Sequence, residues 1–406
     1  MHPNWPLRWP AGWHDLALLD LLKDTGVGAL ILPAADGYGA VIERARRQGL
    51  TVCDPEHPPA GVAIVKGEWP GIRMTPGQGD ASAGPTGALW IDSNGWLVRL
   101  TRVQKPGATV WVIADPPKTS EIIPLSRHLV AVADGAAHGG CWAIAPDREL
   151  AANRDGWRKL MAAVAFFQAH AEWGIWPADG VLAVVSSFAG DNEFFSHELL
   201  NLLARTNVTY DIVEKSHAVP ESWRGLRAVL YTDTDAPASN LRQGLLEFVE
   251  RGGLLIAVPA FGKLPGAVSP VQSHPRYEIR RLGKGTIAVA REAPSDPYEV
   301  AQDAQILLSH RYDRVRFFNG FLLAGYCTKA PDGKHRLAHV INYGGGAGDD
   351  PPSARLAGEF RSARLWSFEH GGPQPLRMAA QRGGVEVHLP PLDVYGGIEL
   401  EVLEHA

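Results

Sequence analysis

The sequence predicts an α/β chain in three parts: a short or incomplete TIM-like barrel over residues 1–177, a flavodoxin-like parallel α/β part over 178–275, and a C-terminal antiparallel β-sandwich over 276–406. Three observations carry this. Up to about residue 177, short β-rich apolar runs alternate with amphipathic helical stretches, the pattern of βα repeats around a parallel sheet. After the Trp176-Pro177 boundary, Val181-Leu-Ala-Val-Val185 reads as a buried strand, and the βαβ-β-αβ order that follows predicts a doubly wound parallel sheet. Beyond about residue 276, short alternating strands follow one another between turn signals such as Pro331-Asp332-Gly333 and Gly344-Gly345-Gly346, which is how a sandwich reads.

In the first part, strands are predicted near 6–9, 29–33, 50–54, 61–67, 88–92, 109–115 and 141–145, with helices at 16–24, 38–48, 94–103, 120–137 and 157–171. Seven strands nearly close an eightfold barrel, although a full barrel takes about 250 residues. No helix fits between Cys53 and Ile64, so either the barrel is incomplete or one βα unit has been lost near residues 56–60. In the second part, strands at 181–185, 210–214, 228–232 and 254–259 and helices at 193–204 and 240–251 predict a doubly wound sheet. The last of these helices ends at Gly252-Gly253, where glycine releases the chain through the left-handed region. The third part holds strands near 286–290, 337–342, 362–367 and 385–389, interrupted by a helix at 297–309.

At 406 residues the chain exceeds a single core, and three domains is the natural count. Apolar residues make up 45%, charged residues 20%, and the formal net charge is −5; these values describe an ordinary globular protein. The 39 Lys and Arg are outnumbered by 44 acids and form no basic run, which argues against nucleic acid as a partner. No apolar run reaches the length of a membrane span, so a soluble chain is expected. Residues 1–5 show neither a basic segment nor an apolar one, so no signal peptide is expected in the chain as given; residence in the cytoplasm and export with a leader removed both stay open. Cys53, Cys141 and Cys327 lie far apart and are odd in number, which excludes a disulfide framework and a CxxC metal site. His197, His274 and His310 make no HxxxH or HxH pair. Neither a metal nor a cofactor is expected.

Eleven of the 13 tryptophans lie at or before Trp176. Sugar rings stack their C–H faces on indole, so Trp5, Trp69, Trp96 and Trp142, at or just past predicted strand ends, are candidate sugar contacts; core packing is the stronger explanation of any single one, and for the cluster the two explanations weigh equally. Barrel chemistry sits where strands run into their following loops. Glu68, Asp92, Asp115 and Asp147 are the acids at such positions, and glycoside hydrolysis uses two carboxyl groups across the scissile bond. Asp92, in Asp92-Ser93-Asn94 before an apolar run, also suits a helix cap, and Asp147 suits one better still. Glu68, between Gly67 and a Trp-Pro turn, has no helix to cap. Glu68 and Asp92 are therefore the leading catalytic pair, with Asp115 in reserve and Trp69, Arg73, Asn94 and Trp96 around the sugar. Arg73 opens a Gly- and Pro-rich stretch over 71–87 with Asp80, Ser82 and Thr86, and a segment of that kind suits a substrate loop. In the second part, Phe188-Ala189-Gly190-Asp191-Asn192-Glu193 lacks the glycines of a dinucleotide fingerprint and carries two acids, which disfavours a phosphate ligand. That part also has no cysteine, so thiol catalysis is excluded there.

Residues 188–205 together with 245–259, including Phe248-Val249-Glu250-Arg251-Gly252-Gly253-Leu254-Leu255-Ile256, resemble the trimerisation domain of glycoside hydrolase family 42 β-galactosidases. The order of barrel, glutamine-amidotransferase-like domain without its cysteine, and small β domain is similar to that family's architecture. The resemblance implies a glycosidase acting on a carbohydrate substrate by carboxylate acid/base chemistry, and a homo-oligomer formed through the middle part. In that family an Asn-Glu pair of the barrel supplies the acid/base. Residues 1–177 contain no Asn-Glu pair, so the family's catalytic residues do not carry over. The alternative is a non-catalytic carbohydrate-binding or assembly protein with a degenerate barrel.

Overall fold

The computed structural model describes residues 4–33, 37–73, 90–115, 122–268, 274–348 and 351–403. Its first part contains six parallel strands, β1 (Trp5–Arg8), β2 (Val27–Ile31), β3 (Thr51–Cys53), β4 (Val62–Lys66), β5 (Thr109–Ile113) and β6 (Gly140–Trp142). They form two three-stranded sheets, β1-β2-β3 and β4-β5-β6. A single parallel bridge, Leu7 to Ile144, joins the sheets; Arg8 N donates to Ile144 O at 2.8 Å and Ile144 N to Pro6 O at 3.1 Å. The arc therefore runs β3-β2-β1-β6-β5-β4, and among the described residues it does not close into a barrel.

The strands form an open arc in place of the nearly closed ring that seven strands would make, and the chain between β3 and β4 gives a reason. Parallel neighbours need a crossover of about a dozen residues or more, whereas residues 54–61 are too few and include Pro55, Pro58 and Pro59. The expected strand near 88–92 is, in its described portion, only Ile91–Asp92, paired antiparallel with Gly71–Ile72. The expected helix at 16–24 is a 3₁₀ segment, Leu16–Leu22. Four helices, α1 (Gly39–Arg47), α2 (Gly95–Gln104), α3 (Leu125–Ala137) and α4 (Arg154–Ala169), pack with the strands around one core that includes Trp5, Trp111, Trp142 and Trp157.

The second part is a seven-stranded sheet built from β7 (Leu182–Ser186), β8 (Tyr210–Glu214), β9 (Ala228–Tyr231), β10 (Leu254–Ala257), β11 (Tyr277–Leu282), β12 (Gly285–Ala290) and the short strand Ala267–Val268. The spatial order is β8-β7-β9-β10-β12-β11 followed by Ala267–Val268. The first five strands are parallel, and their order, with the first strand inside the second, is that of flavodoxin-like sheets. Helices α5 (Glu193–Arg205) and α7 (Pro297–Leu308) bury one face, and α6 (Ser239–Glu250) the other.

Sheet membership differs from expectation beyond residue 275. The strand expected near 286–290 and the helix expected at 297–309 were placed with the C-terminal sandwich, but β12 pairs in parallel with β10 and α7 packs on α5. The misleading feature is the β11–β12 hairpin, which turns at Gly283 with φ +57° and reads in sequence like the antiparallel strands that follow.

The third part is two antiparallel sheets around a separate apolar core. One has the order Val315–Phe318, Ser353–Ala357, Gly384–His388, Met378–Gln381. The other runs β13 (Leu323–Lys329), β14 (His335–Asn342), Tyr395–Val402, Phe360–Trp366, Gln374–Pro375. The connection at 177–179 joins all three parts, because Asp179 N donates to Cys327 O at 2.9 Å and Lys329 N to Pro177 O at 3.0 Å.

Candidate functional site

Glu68 follows the end of β4, and its backbone is clamped. Asn94 Oδ1 accepts from Glu68 N at 2.9 Å while Asn94 Nδ2 donates to Glu68 O at 2.8 Å. Asn94 stands at the start of α2 but makes no side-chain cap bond, because its amide is spent on Glu68. The amide is held in turn by Asp134 of α3, which is fully buried. Asp134 Oδ2 accepts from Asn94 N at 2.8 Å, and Oδ1 accepts from Ser93 Oγ and Tyr343 Oη, each at 2.6 Å. Burial and the adjoining Asp134 push the Tyr343 hydroxyl well above its ordinary value, so it stays a donor. Gly67 makes the approach possible: a Cβ there would lie 2.3 Å from Asn94 Oδ1 and 2.7 Å from Val112 Cγ1. The Glu68 side chain is exposed, and its carboxylate has no hydrogen-bond or ion-pair partner among the described residues.

Asp92 has the opposite environment. Arg73 grips it from Nε at 3.1 Å and Nη2 at 2.6 Å, and Trp90 Nε1 donates to it at 3.1 Å. Arg205, from the carboxyl end of α5, lies over the Trp90 ring at 3.7 Å and brings Nη2 to 3.9 Å from Asp92. Burial lowers the Arg205 guanidinium to about 10, with the charges of Glu198, Asp92 and Glu68 opposing the shift. Arg73, also over Trp90 at 4.8 Å, feels Glu68 and Glu198 besides Asp92. Glu68, Asp92, Arg73, Arg205 and Glu198 thus share one electrostatic neighbourhood around Trp90. The cap expected of Asp92 is made by Asn94 backbone geometry and Ser93 Oγ, which accepts from Gly95 N at 3.1 Å.

The remaining candidates fall elsewhere. Asp115 is exposed and sits 3.2 Å from Lys66 Nζ, at the end of the strand next to β4. Trp69 donates to Asp115 O at 3.0 Å and leans edge-on to Trp142 and His128, with part of its ring open. Trp5 and Trp142 are each 1% exposed, and Trp5 Nε1 donates to Trp142 O; both pack in the core, and Trp5 borders a cleft at the end of the strands opposite Glu68. Trp96 packs on His197 of α5 at 5.1 Å, a contact between the first two parts. Asp147 caps Arg148–Ala152 through Leu150 N and also accepts from Ile123 N, as its sequence context suggested. Asp80, Ser82 and Thr86 lie outside the described residues. Glu68, Asp92 and Asp115 do not line the cavities beside Trp173, Tyr343 or Trp223.

Cys141 and Cys327 are buried, their thiols pushed up to about 12 by desolvation, and Cys53 is raised to about 11, so none offers a ready thiolate. No group of three or more His, Cys, Asp or Glu side chains among the described residues is arranged to hold a metal ion. No helix among them is long and apolar enough to cross a membrane.

His128 of α3 was not singled out by its sequence. It is 1% exposed, lies against Trp69, and neither ring nitrogen has a partner. Burial lowers it to about 4, Asp147 opposing and Arg127 assisting. Its folded-state value is below the unfolded one, so the unfolded chain binds the extra proton first. Stability is therefore fully present above about pH 6.5 and is lost as pH falls toward 4, by roughly 3 kcal/mol from this histidine. His128→Leu should flatten the fall of melting temperature between pH 7 and 4; an unchanged slope would remove His128 as its source.

No protein-family model matches the chain, and no curated protein matches it. Among solved structures it is similar to α-L-fucosidase isoenzyme 2 from Paenibacillus thiaminolyticus, with a TM-score of 0.54 and 12% identity over 95% of this chain and 79% of that one. It is also similar to a rhamnosidase from Novosphingobium sp. PP1Y, with a TM-score of 0.53 and 11% identity over 91% of this chain and 38% of that one. For a catalytic mutant of a family 42 β-galactosidase from G. stearothermophilus the TM-score is 0.48 at 12% identity, over 76% of this chain and 56% of the other. This chain thus spans little more than half of that β-galactosidase. The structures that the chain resembles are glycoside hydrolases, and at these identities what it shares with them is the fold.

Proposed function

We propose that the chain is a glycoside hydrolase that cleaves an oligosaccharide or glycoside on an incomplete barrel, with Glu68 and Asp92 as its two carboxyl groups. The observation that carries this reading is the pairing of an unpartnered Glu68 carboxylate with a backbone fixed through Asn94 and Asp134. A group that must give and take a proton needs a rigid support and an open side chain. The fold shared with an α-L-fucosidase and a rhamnosidase over more than nine-tenths of the chain supports the same class. In this reading Glu68 protonates the glycosidic oxygen. Asp92, in its ion pair with Arg73, supplies the negative charge that either attacks the anomeric carbon or draws a proton from water. Trp69 offers the sugar an indole face and Arg73 a donor. Asn94 positions Glu68 instead of touching substrate, and Asp115 remains in reserve.

A panel of aryl α-L-fucoside, α-L-rhamnoside and β-D-galactoside tests this. Release of the aryl alcohol by the wild type, and its loss in Asp92→Asn, is the expected result; no release from any glycoside removes the reading. The close Arg73–Asp92 pair favours a second reading, a carbohydrate-binding or assembly protein whose barrel has lost its chemistry, for which calorimetry would give sugar binding without product. In both readings the middle part holds copies of the chain together, which light scattering measures as a mass above one protomer.

A further inference from the structure

A large cleft lies at the other end of the strands. Its volume is about 900 Å³, within the range of ligand clefts. Thr109 and Gly140, the first residues of β5 and β6, form part of its wall, so it opens opposite the strand ends that carry Glu68 and Asp115. All three parts of the chain contribute: the segment 167–178, Asp211 of β8, and Tyr326 and His339 of β13 and β14.

We infer that this cleft is a second binding site, for a neutral mono- or disaccharide, distinct from the Glu68 site. Its polar and apolar groups select that chemistry. Asp211 is only partly exposed, and its carboxylate has no hydrogen-bond or ion-pair partner among the described residues. Gly180 packs closely behind it, a Cβ there falling 2.9 Å from Asp211 Oδ2, so no side chain from that position reaches it. A buried acceptor of this kind gains most from hydroxyl donors. Trp176 lines the cleft with a partly open indole, and Trp173 beside it is fixed by stacking on His170 at 4.0 Å.

Charged ligands fit less well. An anion would meet Asp211 and Glu172, and the two arginines of the wall are already engaged. Arg102 donates to His138 O and Gly174 O, and Arg99 donates to Tyr210 O and stacks on Tyr210 and Tyr326. A cation would enter the field of Arg99 and Arg102. A polyol that gives hydroxyls to Asp211 and lays a C–H face on Trp176 meets neither objection.

The inference rests on the carbohydrate reading above for its ligand class, and its test separates the two. Calorimetry of the full chain with L-fucose, L-rhamnose and D-galactose is run on wild type, Asp211→Asn and Trp176→Ala, alongside aryl glycoside hydrolysis. Binding of at least one sugar, weakened roughly tenfold or more in each variant, with hydrolysis and melting temperature kept, supports the second site. Asp211→Asn keeps the shape of the side chain, and its melting curve shows whether the fold is kept. Sugar affinity unchanged in both variants, no sugar bound by wild type, or spermidine bound through Asp211 in place of sugar overturns it. Hydrolysis with Asp211-independent binding leaves the Glu68 site standing and ends this one; Asp211-dependent binding without hydrolysis does the reverse.

Discussion

Asp134→Ala is expected to destabilise the fold by about 3 to 5 kcal/mol. Asp134 accepts from Ser93, Tyr343 and the backbone and side chain of Asn94 at full burial. Truncation leaves these donors without an acceptor where water does not reach, and each then loses its bond without hydration in return. The substitution Asp134→Asn is no remedy, because an amide Nδ2 would face donors. The three partners come from α2, its preceding loop and the sandwich, so the loss also loosens the first part against the third. Urea unfolding measures it. A cost below about 1 kcal/mol would mean that the network is slack and that Glu68 is not rigidly held.

Glu68→Gln is expected to lower kcat on an aryl glycoside by about 10²- to 10⁴-fold, the usual worth of a positioned acid or base. The replacement keeps shape and size and touches neither backbone bond to Asn94, so stability should not change. The effect should fall on kcat more than on KM, since a proton transfer is made in the transition state and not in substrate binding. Asn94→Ala is a useful contrast. It leaves the carboxylate in place but frees the turn, so it should lower kcat less than Glu68→Gln while costing stability, because Asn94 is itself buried.

The parts of the fold that the sequence makes legible are those whose cause is local. Val181-Leu-Ala-Val-Val185 reads as a buried strand because both faces of the central sheet are covered, and α6 ends near Gly252-Gly253 because glycine alone takes φ +118° there at no steric cost. Barrel closure is not local: it depends on whether residues 54–61 can carry the chain from β3 to a parallel neighbour, and the apolar runs themselves do not encode that. The hairpin at Gly283 shows the same limit, since β12 alternates like a sandwich strand while its partner is β10.

The site divides in the same way. Glu68 stands out by its position after an apolar strand with no helix to cap. The clamp behind it is invisible, because Asn94, Asp134 and Tyr343 meet across 40 and 209 residues of sequence. Arg205 gives no signal beyond a basic residue at a helix end; its meaning comes from the docking of α5 against Trp90. Tryptophan content misleads in part, since an indole at a strand end serves a core as well as a sugar, and Trp5 and Trp142 went to the core.

The role of Glu68 is measured most directly by comparing initial rates of aryl glycoside hydrolysis by wild type and Glu68→Gln in samples with matched melting curves. A fall of about 10²-fold or more in the variant is what a clamped, open carboxyl predicts. Equal rates from the two proteins would contradict it and return Glu68 to an ordinary surface residue at a well-braced turn.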